Sequence, residues 1–380
     1  MGIAAMRVPT IIALTFALPI AGKSAAEFVA SPPPPQAPSH ARKPDYLIDS
    51  HGRTIRDLRL SITDRCNFRC VYCMDPDFRY MPKQQLLSLE EYLRLVRVCL
   101  TLGISKLRIT GGEPTLYPRL NDLVREVGRM SIDDVAITTN GSLFEKMPLQ
   151  QWRTDGLHRV TFSLDSLRPE RVQAITRTES TPAGVVRAIQ LAREAGFDPI
   201  KVNAVVMRGV NDDEVADFAD FAIEHGIDMR LIEFMPLDSS HAWDRSQVVN
   251  ADEMLEKIRA RHEVVAVADD DPSSTSMNFR FAAPKSQIQN PKSRLGIIAP
   301  VSRPFCGACS RLRITADGKI RPCLFSLSEW DIKPLLRDGK SSDSDLRDFI
   351  VNAVWTKQAG HGIGSKTFIQ PSRTMSAIGG

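Results

Sequence analysis

The sequence is poor in cysteine, carries little excess charge and lacks a long hydrophobic run. Seven cysteines in 380 residues are too few for a disulfide scaffold, and six of them form two tight groups, which favours metal or cluster ligation in a reducing compartment. The formal net charge of +4 suits a small anionic ligand better than a surface that coats nucleic acid. The apolar run at 9–21 is too short for a transmembrane helix. We therefore expect neither a nucleic-acid partner nor a membrane anchor.

The first 44 residues differ in composition from the rest of the chain. The run at 9–21 follows Arg7 and precedes small residues, so it resembles a weak secretory signal. A proline-rich segment at 31–40 follows and should be extended. Because exposed thiolates oxidise easily outside a reducing compartment, we interpret 1–44 as a disordered extension or a misassigned start, with export as the alternative. The expected location is the cytoplasm.

Strand-like and helical segments alternate through the next part of the chain. The clearest helical pattern, at 88–102, begins with a capping box formed by Ser88 and Glu91. Two further helical patterns cover 181–195 and 212–225. The strand-like apolar segments are 58–63, 106–110, 135–139, 159–165, 201–206 and 230–234. This alternation predicts an α/β fold made of βαβ units around a parallel sheet.

About six such units are recognisable, so we expect an incomplete (β/α)6 TIM-type barrel over 45–244. The alternation ends near residue 245, and we expect 245–380 to form a C-terminal module. Polar motifs follow several strands: "GGEP" at 111–114, "TTNG" at 138–141, "SLDS" at 163–166 and "EFMP" at 233–236. Because the carboxyl ends of parallel strands meet at one end of a barrel, the sequence predicts an active site there.

The first cysteine group comprises Cys66, Cys70 and Cys73 in the stretch "DRCNFRCVYC". Three cysteines within eight residues suit a cubane iron–sulfur cluster, because one short loop can wrap its corners. Such a cluster has four irons, so three cysteines leave one iron open to a small molecule. A zinc knuckle, or a cluster with a distant fourth cysteine, remains the alternative.

The second cysteine group comprises Cys306, Cys309 and Cys323, again without an obvious fourth ligand. The favoured interpretation is a second cubane with an open iron, and a zinc ribbon lacking one ligand is the alternative. Strand alternation places Arg311 and Arg313 on one face beside this group, which suggests an anionic substrate such as a nucleotide. The remaining cysteine lies inside a helical pattern and is expected in the core.

The first cysteine group, the aromatic Tyr72 and the following "GGEP" together resemble the radical S-adenosylmethionine (SAM) enzymes. From about residue 45 to Gly380, the chain resembles one family among them, the GTP 3′,8-cyclases of molybdenum cofactor biosynthesis. The motifs that carry this resemblance are "LRLSITDRCNFRCVYC", "RITGGEP", "TTNG", "SLDSL", "KVNAVVMRGVN", "CGACSRLR" and the final Gly-Gly. The resemblance implies conversion of GTP to 3′,8-cyclo-7,8-dihydro-GTP through hydrogen abstraction at the ribose C3′ atom.

The resemblance also implies cofactors and site residues. It implies two [4Fe-4S] clusters, one on each cysteine group, with SAM contacts from Tyr72, Gly112, Ser163 and Met235. It implies GTP contacts from Arg59, Arg108, Thr138, Lys201, Arg311, Leu312 and Arg313. Most of these GTP positions are cationic, as a triphosphate requires. It implies catalytic roles for Arg311, Arg313, Gly379 and Gly380, because the glycine tail would reach into the active site.

The resemblance further implies an electron donor of the flavodoxin or ferredoxin type and a downstream cyclic pyranopterin monophosphate synthase. A homodimer is compatible with the sequence, which does not determine the oligomeric state. One alternative is a radical SAM enzyme that acts on a peptide or another small molecule, with the second cluster as an electron relay. A non-catalytic iron–sulfur or zinc-binding protein is the other. The Asp- and Ser-rich stretch at 268–276 lies outside the resemblance and is expected to be a solvated loop.

Overall fold

The computed structural model describes residues 32–41, 46–238, 241–269, 271–282 and 292–379. The signal-like run at 9–21 and the final glycine, Gly380, lie outside the described residues. Residues 32–379 belong to one compact unit. None of the helices in the described ranges is long and apolar enough to cross a membrane.

A sheet of twelve strands forms the centre of the described chain. Its strands are β3 (Asp57–Ser61), β4 (Lys106–Thr110), β5 (Asp134–Thr139), β6 (Arg159–Ser163), β7 (Lys201–Val206), β8 (Asp228–Glu233), β9 (Val264–Val267), β10 (Met277–Phe281), β11 (Arg294–Ile298), β12 (Arg311–Ile314), β13 (Lys319–Arg321) and β14 (Trp330–Asp331). Strands β3 to β8 pair in sequence order and are all parallel. The predicted α/β fold with a six-unit, incomplete barrel is therefore confirmed. A separate antiparallel pair, β1 (Leu47–Ile48) and β2 (Thr54–Ile55), precedes the sheet.

Helices connect most of the parallel strands. They are α1 (Leu89–Leu100), α2 (Leu120–Gly128), α3 (Leu149–Thr154), α4 (Pro169–Thr176), α5 (Pro182–Glu194), α6 (Val215–His225), α7 (Ala251–Arg259), α8 (Lys333–Arg337), α9 (Asp343–Trp355) and α10 (Met375–Ile378). Both halves of the predicted capping box are present at the start of α1, where Ser88 accepts from the Glu91 amide and Glu91 accepts from the Ser88 amide. The helix therefore begins where the sequence indicated.

The C-terminal part of the chain extends the sheet at both edges. Strand β11 adds in parallel to β8, and β12 adds in parallel to β3. The antiparallel strands β10 and β9 continue one edge, and β13 and β14 continue the other. Residues on the two sides of the expected boundary near 245 thus share one sheet. The sequence rhythm ends there because the later strands join the sheet through non-local pairing, without intervening βαβ units.

Candidate active site

A cavity of about 530 Å³ opens among the strand ends and loops of the sheet, and both cysteine groups line it. Nine of the other predicted site residues line the same cavity: Tyr72, Gly112, Ser163, Met235, Arg59, Arg108, Thr138, Arg311 and Arg313. Two predicted GTP contacts do not line it. The Leu312 side chain is fully buried in the core, because alternation along β12 turns it away from its arginine neighbours. Lys201 is also buried, at the start of β7.

The first cysteine group lies on the loop that follows β3. The Cys73 amide donates to the Cys70 carbonyl oxygen at 2.9 Å, and the Phe68 amide donates to Cys66 Sγ at 3.4 Å. Burial raises the pKa of Cys66 to about 11 and that of Cys73 to about 12. Burial therefore opposes ionisation of these thiols, and a strongly positive group such as iron would stabilise them as thiolates.

The chemistry of these donors fits an iron–sulfur cluster better than zinc. Each group offers three half-buried cysteines to a cavity with room for additional ligands. A structural zinc ion takes four protein ligands, whereas three thiolates on a cubane bind separate corners and leave the fourth iron to another ligand.

The "GGEP" loop after β4 packs directly on the cysteine loop. A Cβ atom on Gly112 would lie 2.4 Å from the Arg65 carbonyl oxygen, and one on Gly111 would lie 2.8 Å from the Thr63 carbonyl oxygen. Glycine at both positions therefore lets this loop pack closely on the backbone of the cysteine loop.

Glu113 was not predicted as a site residue, yet it connects two loops of the cavity wall. It is buried, and its carboxylate accepts from the Thr115 amide at 3.0 Å, the Thr139 hydroxyl at 2.7 Å and the Asn140 amide at 2.7 Å. Burial raises the pKa of this carboxyl group, against the effect of these donors. Its place in "GGEP", directly after a predicted strand, could have indicated this role from the sequence.

Tyr72 and Asp165 also line the cavity. The Tyr72 hydroxyl donates to Asp165 Oδ2 at 2.7 Å, and the Val205 amide donates to Asp165 Oδ1 at 2.8 Å. Burial raises the pKa of Asp165 to about 6, although both hydrogen bonds stabilise its charged form. This contact fixes the aromatic residue of the cysteine loop against the strand end that carries "SLDS".

The second cysteine group is held by buried cations. Arg53 donates to the carbonyl oxygens of Cys306 at 2.7 Å and Ala359 at 2.8 Å. Lys357 donates to the Arg311 carbonyl oxygen at 2.8 Å. Burial opposes ionisation of Cys309, but Arg311 and Lys357 outweigh it and lower the pKa of this thiol to about 6. Neither Arg53 nor Lys357 belongs to a recognisable motif, so the sequence offered no signal for them.

Three arginines stand side by side on adjacent strands. Arg313 on β12 pairs in register with Arg59 on β3, and Arg59 pairs with Arg108 on β4. Burial and the neighbouring arginines lower the pKa of all three, to about 9 for Arg313 and about 10 for Arg108. Like charges directly opposite in a sheet are destabilising. This arginine row therefore favours a bound polyanion.

Further polar groups extend this electropositive wall. Arg108 donates to the hydroxyls of Thr138 at 3.1 Å and Thr161 at 3.2 Å. Arg230, which the sequence did not single out, also lines the cavity, and burial lowers its pKa. Burial together with Arg230 and Arg159 lowers the pKa of Lys201 to about 7. Lys201 thus belongs to the same electrostatic cluster without reaching the cavity surface.

Part of the stretch at 268–276, expected to be a solvated loop, packs on the barrel. Ser273, Ser274 and Thr275 line a second, smaller cavity at the amino ends of β3, β4 and β5, and Ser276 is buried. Asp271 forms an ion pair with Lys106 at the start of β4. The polar side chains of this stretch therefore contact the barrel as well as water.

The C-terminal tail enters the same cavity. Met375 and Ser376 of α10 line it, and the Ser376 hydroxyl donates to the Cys73 carbonyl oxygen at 3.4 Å. Gly379 has φ +82°, and a Cβ atom there would lie 2.7 Å from Thr110 Oγ1. Only glycine fits this position without displacement.

An arginine just before α10 anchors this tail. Arg373 forms ion pairs with Asp317 at 2.8 Å and with Glu329 at 2.8 Å, and the Arg373 and Asp317 side chains are nearly buried. Asp317 lies in the turn between β12 and β13. The hairpin that carries Arg311 and Arg313 is therefore tied to the tail as well.

The sequence matches two family models in succession. The model of the Radical SAM superfamily matches residues 60–222, and the model named Molybdenum Cofactor Synthesis C matches residues 227–363. Curated relatives named GTP 3′,8-cyclase include a protein of Streptomyces coelicolor, 41% identical over 88% of this chain and 96% of that protein. Another, from Marinobacter nauticus, is 40% identical over 88% of this chain and 98% of that protein.

A solved structure shares the fold. Streptococcus suis SuiB bound to S-adenosylmethionine matches with a TM-score of 0.55 and 15% identity, over 74% of this chain and 64% of that chain. At this identity the similarity is one of architecture.

Proposed function

Because this chain belongs to the GTP 3′,8-cyclase family of the radical SAM superfamily, we propose that it converts GTP to 3′,8-cyclo-7,8-dihydro-GTP, the first step of molybdenum cofactor biosynthesis. One observation carries the proposal: a single cavity is lined by both cysteine groups and by the arginine row. A peptide substrate would not require three adjacent buried arginines, whereas a nucleoside triphosphate supplies the negative charge that balances them.

Cys66, Cys70 and Cys73 would hold the first [4Fe-4S] cluster, and Cys306, Cys309 and Cys323 would hold a second. With SAM bound, the first cluster supplies the one-electron reduction that starts a radical reaction at the ribose C3′ atom of GTP. We assign the SAM contacts to four residues that line the cavity: Tyr72, Gly112, Ser163 and Met235. The Tyr72–Asp165 and Glu113–Asn140 hydrogen bonds would hold the neighbouring loops in position for the ligands.

The arginine row would bind the triphosphate. Arg59 and Arg108 of this row, together with Arg311 beside it, can donate charge-assisted hydrogen bonds to phosphate oxygens. Lys201, which is buried beneath the cavity surface, adds positive charge. Arg313 also holds the Gly379 carbonyl oxygen at 2.7 Å, so it would couple substrate binding to the position of the tail. The tail and the surrounding loops would exclude water from the reacting atoms, which protects a radical from side reactions.

The proposed reaction requires an electron donor and a second enzyme that uses the product. A one-electron reduction of the cluster needs a low-potential donor, for which we propose a protein of the flavodoxin or ferredoxin type. The product needs a second enzyme, the cyclic pyranopterin monophosphate synthase, to complete the pterin. We propose that these steps take place in the cytoplasm, where the thiolates stay reduced. A homodimer is the working hypothesis for the oligomeric state.

The test is an anaerobic incubation of the protein, loaded with iron and sulfide, with GTP, SAM and a reductant. We expect 5′-deoxyadenosine and the cyclised nucleotide by mass spectrometry. ATP in place of GTP is the matched control and should give no cyclised product. SAM cleavage without any GTP-dependent product would contradict the proposed substrate. Iron and sulfide analysis would separately decide between one cluster and two.

A further inference from the structure

Tyr80 contacts the cysteine loop, although it belongs to none of the motifs recognised in the sequence. It lies in the segment 75–82, which follows Cys73 in the chain. The Tyr80 hydroxyl donates to the Cys66 carbonyl oxygen at 2.6 Å, and the Cys66 amide donates to the same hydroxyl at 3.4 Å. One side chain thus engages both backbone groups of a cysteine that lies 14 positions away in sequence.

Two arginines of the cysteine loop contact the ring of Tyr80. The guanidinium carbons of Arg65 and Arg69 lie 5.8 and 5.2 Å from the ring centre, where a cation is attracted to an aromatic ring. Arg69 also donates to the carbonyl oxygens of Cys66 at 2.8 Å and Phe68 at 2.9 Å. The loop therefore holds Tyr80 through these cations as well as through the hydroxyl.

The segment 75–82 has contacts of its own that fix it in place. The Met81 amide donates to Oδ2 of the buried Asp64 at 2.6 Å. The ring of Phe78 packs edge-on against the ring of Tyr80, with 5.6 Å between the ring centres. Because Tyr80 is held from both sides along the chain, its hydroxyl can determine where the cysteine backbone lies.

Cys66 depends on this support more than the other two cysteines of its group. Cys70 and Cys73 share one turn, which the Cys73 amide closes by donating to the Cys70 carbonyl oxygen at 2.9 Å. Cys66 lies outside that turn. Among the described residues, its backbone forms hydrogen bonds with Tyr80 and Arg69 alone.

We propose that Tyr80 is a positioning residue for the first cluster, which it helps to retain by fixing the backbone of Cys66. This inference rests on the proposed function, which assigns the first cluster to Cys66, Cys70 and Cys73. A cluster bound by three cysteines has no further thiolate to keep it in place when one detaches, so its lifetime depends on how firmly each is held. Tyr80 lines neither cavity and therefore acts through Cys66.

The experiment follows loss of the first cluster in Tyr80→Phe, which removes the hydroxyl and keeps the ring. The cluster-loaded protein is incubated anaerobically with EDTA, and reduced samples are examined over time by electron paramagnetic resonance with and without SAM. Because SAM binds the first cluster, the part of the spectrum that SAM changes reports that cluster, and the remainder reports the second. Tyr117→Phe is the matched control, since Tyr117 is also half-buried, packs edge-on against Tyr92 and lines neither cavity.

We expect the SAM-sensitive signal of Tyr80→Phe to decay about fivefold faster than that of the wild type, the effect of losing one ordinary hydrogen bond. The remaining signal and the melting temperature should not change, and Tyr117→Phe should behave as the wild type. Decay of the SAM-sensitive signal at the wild-type rate would overturn the inference. Equal acceleration of both parts of the spectrum would also overturn it, because Tyr80 would then only stabilise the fold. If Cys66→Ser retains a SAM-sensitive signal of wild-type lifetime, the assignment of the first cluster itself fails.

Discussion

Arg313 on β12 donates to the carbonyl oxygen of Gly379 at 2.7 Å, in a buried contact between residues 66 positions apart in sequence. Arg313 is also the first member of the arginine row that continues through Arg59 to Arg108. The last described residue, Gly379, is thus attached to the charged wall of the cavity. A change in either residue should therefore alter the chemistry more than the stability of the fold.

Gly379→Ala tests the fit of the tail. The added Cβ would lie 2.7 Å from Thr110 Oγ1 and 2.8 Å from Ser61 Cβ, so the tail must move. Because small displacements of positioning groups cost up to about 100-fold in rate, we expect cyclised product to fall by about that factor. The melting temperature should change little, since the tail follows the last core helix.

Gly339→Ala is the control for backbone strain. Gly339 also has a positive φ, +68°, but an added Cβ there meets no atom within 4 Å. We expect full activity in this variant. Equal losses in both variants would mean that backbone strain alone, rather than the close packing of Gly379 on Thr110 and Ser61, explains the effect.

Arg373 should act as a positioning residue for the tail. Arg373→Met removes its ion pairs with Asp317 and Glu329 and releases the segment that leads into α10. We expect SAM cleavage to continue while the yield of cyclised product per SAM cleaved falls, because the radical forms without a positioned tail. Arg373→Lys, which keeps the charge, should restore part of this yield. A purely structural role would lower SAM cleavage and product in the same proportion.

Cys70→Ser tests the assignment of the first cluster. The two cysteine groups lie on separate loops, so we expect iron content to fall by about half and 5′-deoxyadenosine formation to stop. Cys99→Ser is the matched control, since Cys99 is buried within α1 and lines neither cavity. Normal SAM cleavage by Cys70→Ser would show that the first cluster is held elsewhere.

Lys201 predicts a pH dependence of GTP binding. Burial and the neighbouring Arg230 and Arg159 lower its pKa to about 7, so it is charged below that pH and largely neutral above it. A triphosphate favours the charged form, and binding above pH 7 must therefore take up a proton. We expect the Kd for GTP to rise between pH 7 and pH 8.5, approaching about tenfold per pH unit.

Lys201→Met separates this effect from the titration of GTP itself. The nucleotide ionises identically with both proteins, so any difference between their pH profiles comes from Lys201. We expect weaker binding at pH 6.5 and a flatter profile in the variant. Parallel profiles in calorimetric titrations would exclude Lys201 from the binding electrostatics.

The local part of the fold could be predicted from the sequence. Strands β4 and β7 have the predicted bounds, because each is a short apolar run flanked by turn signals. Strands β11 and β12, which flank the six parallel strands, could not be placed in the sheet, since their partners β8 and β3 are distant in sequence. Contacts of that kind depend on the assembled sheet rather than on local pattern.

The candidate site, like the fold, could be predicted only in part from the sequence. The cysteine groups and "GGEP" could be identified because their chemistry requires fixed spacing. Arg230 and Lys357 lie in the site without any motif, and only the folded chain brings them to the cavity.

The central claim is that one cavity brings SAM chemistry to the ribose of GTP. The most direct measurement uses GTP deuterated at the ribose C3′ position, incubated anaerobically with the cluster-loaded protein, SAM and a reductant. We predict that mass spectrometry will find the deuterium in 5′-deoxyadenosine, together with an equal amount of cyclised nucleotide. Unlabelled 5′-deoxyadenosine, formed while the deuterium stays in GTP, would contradict the claim.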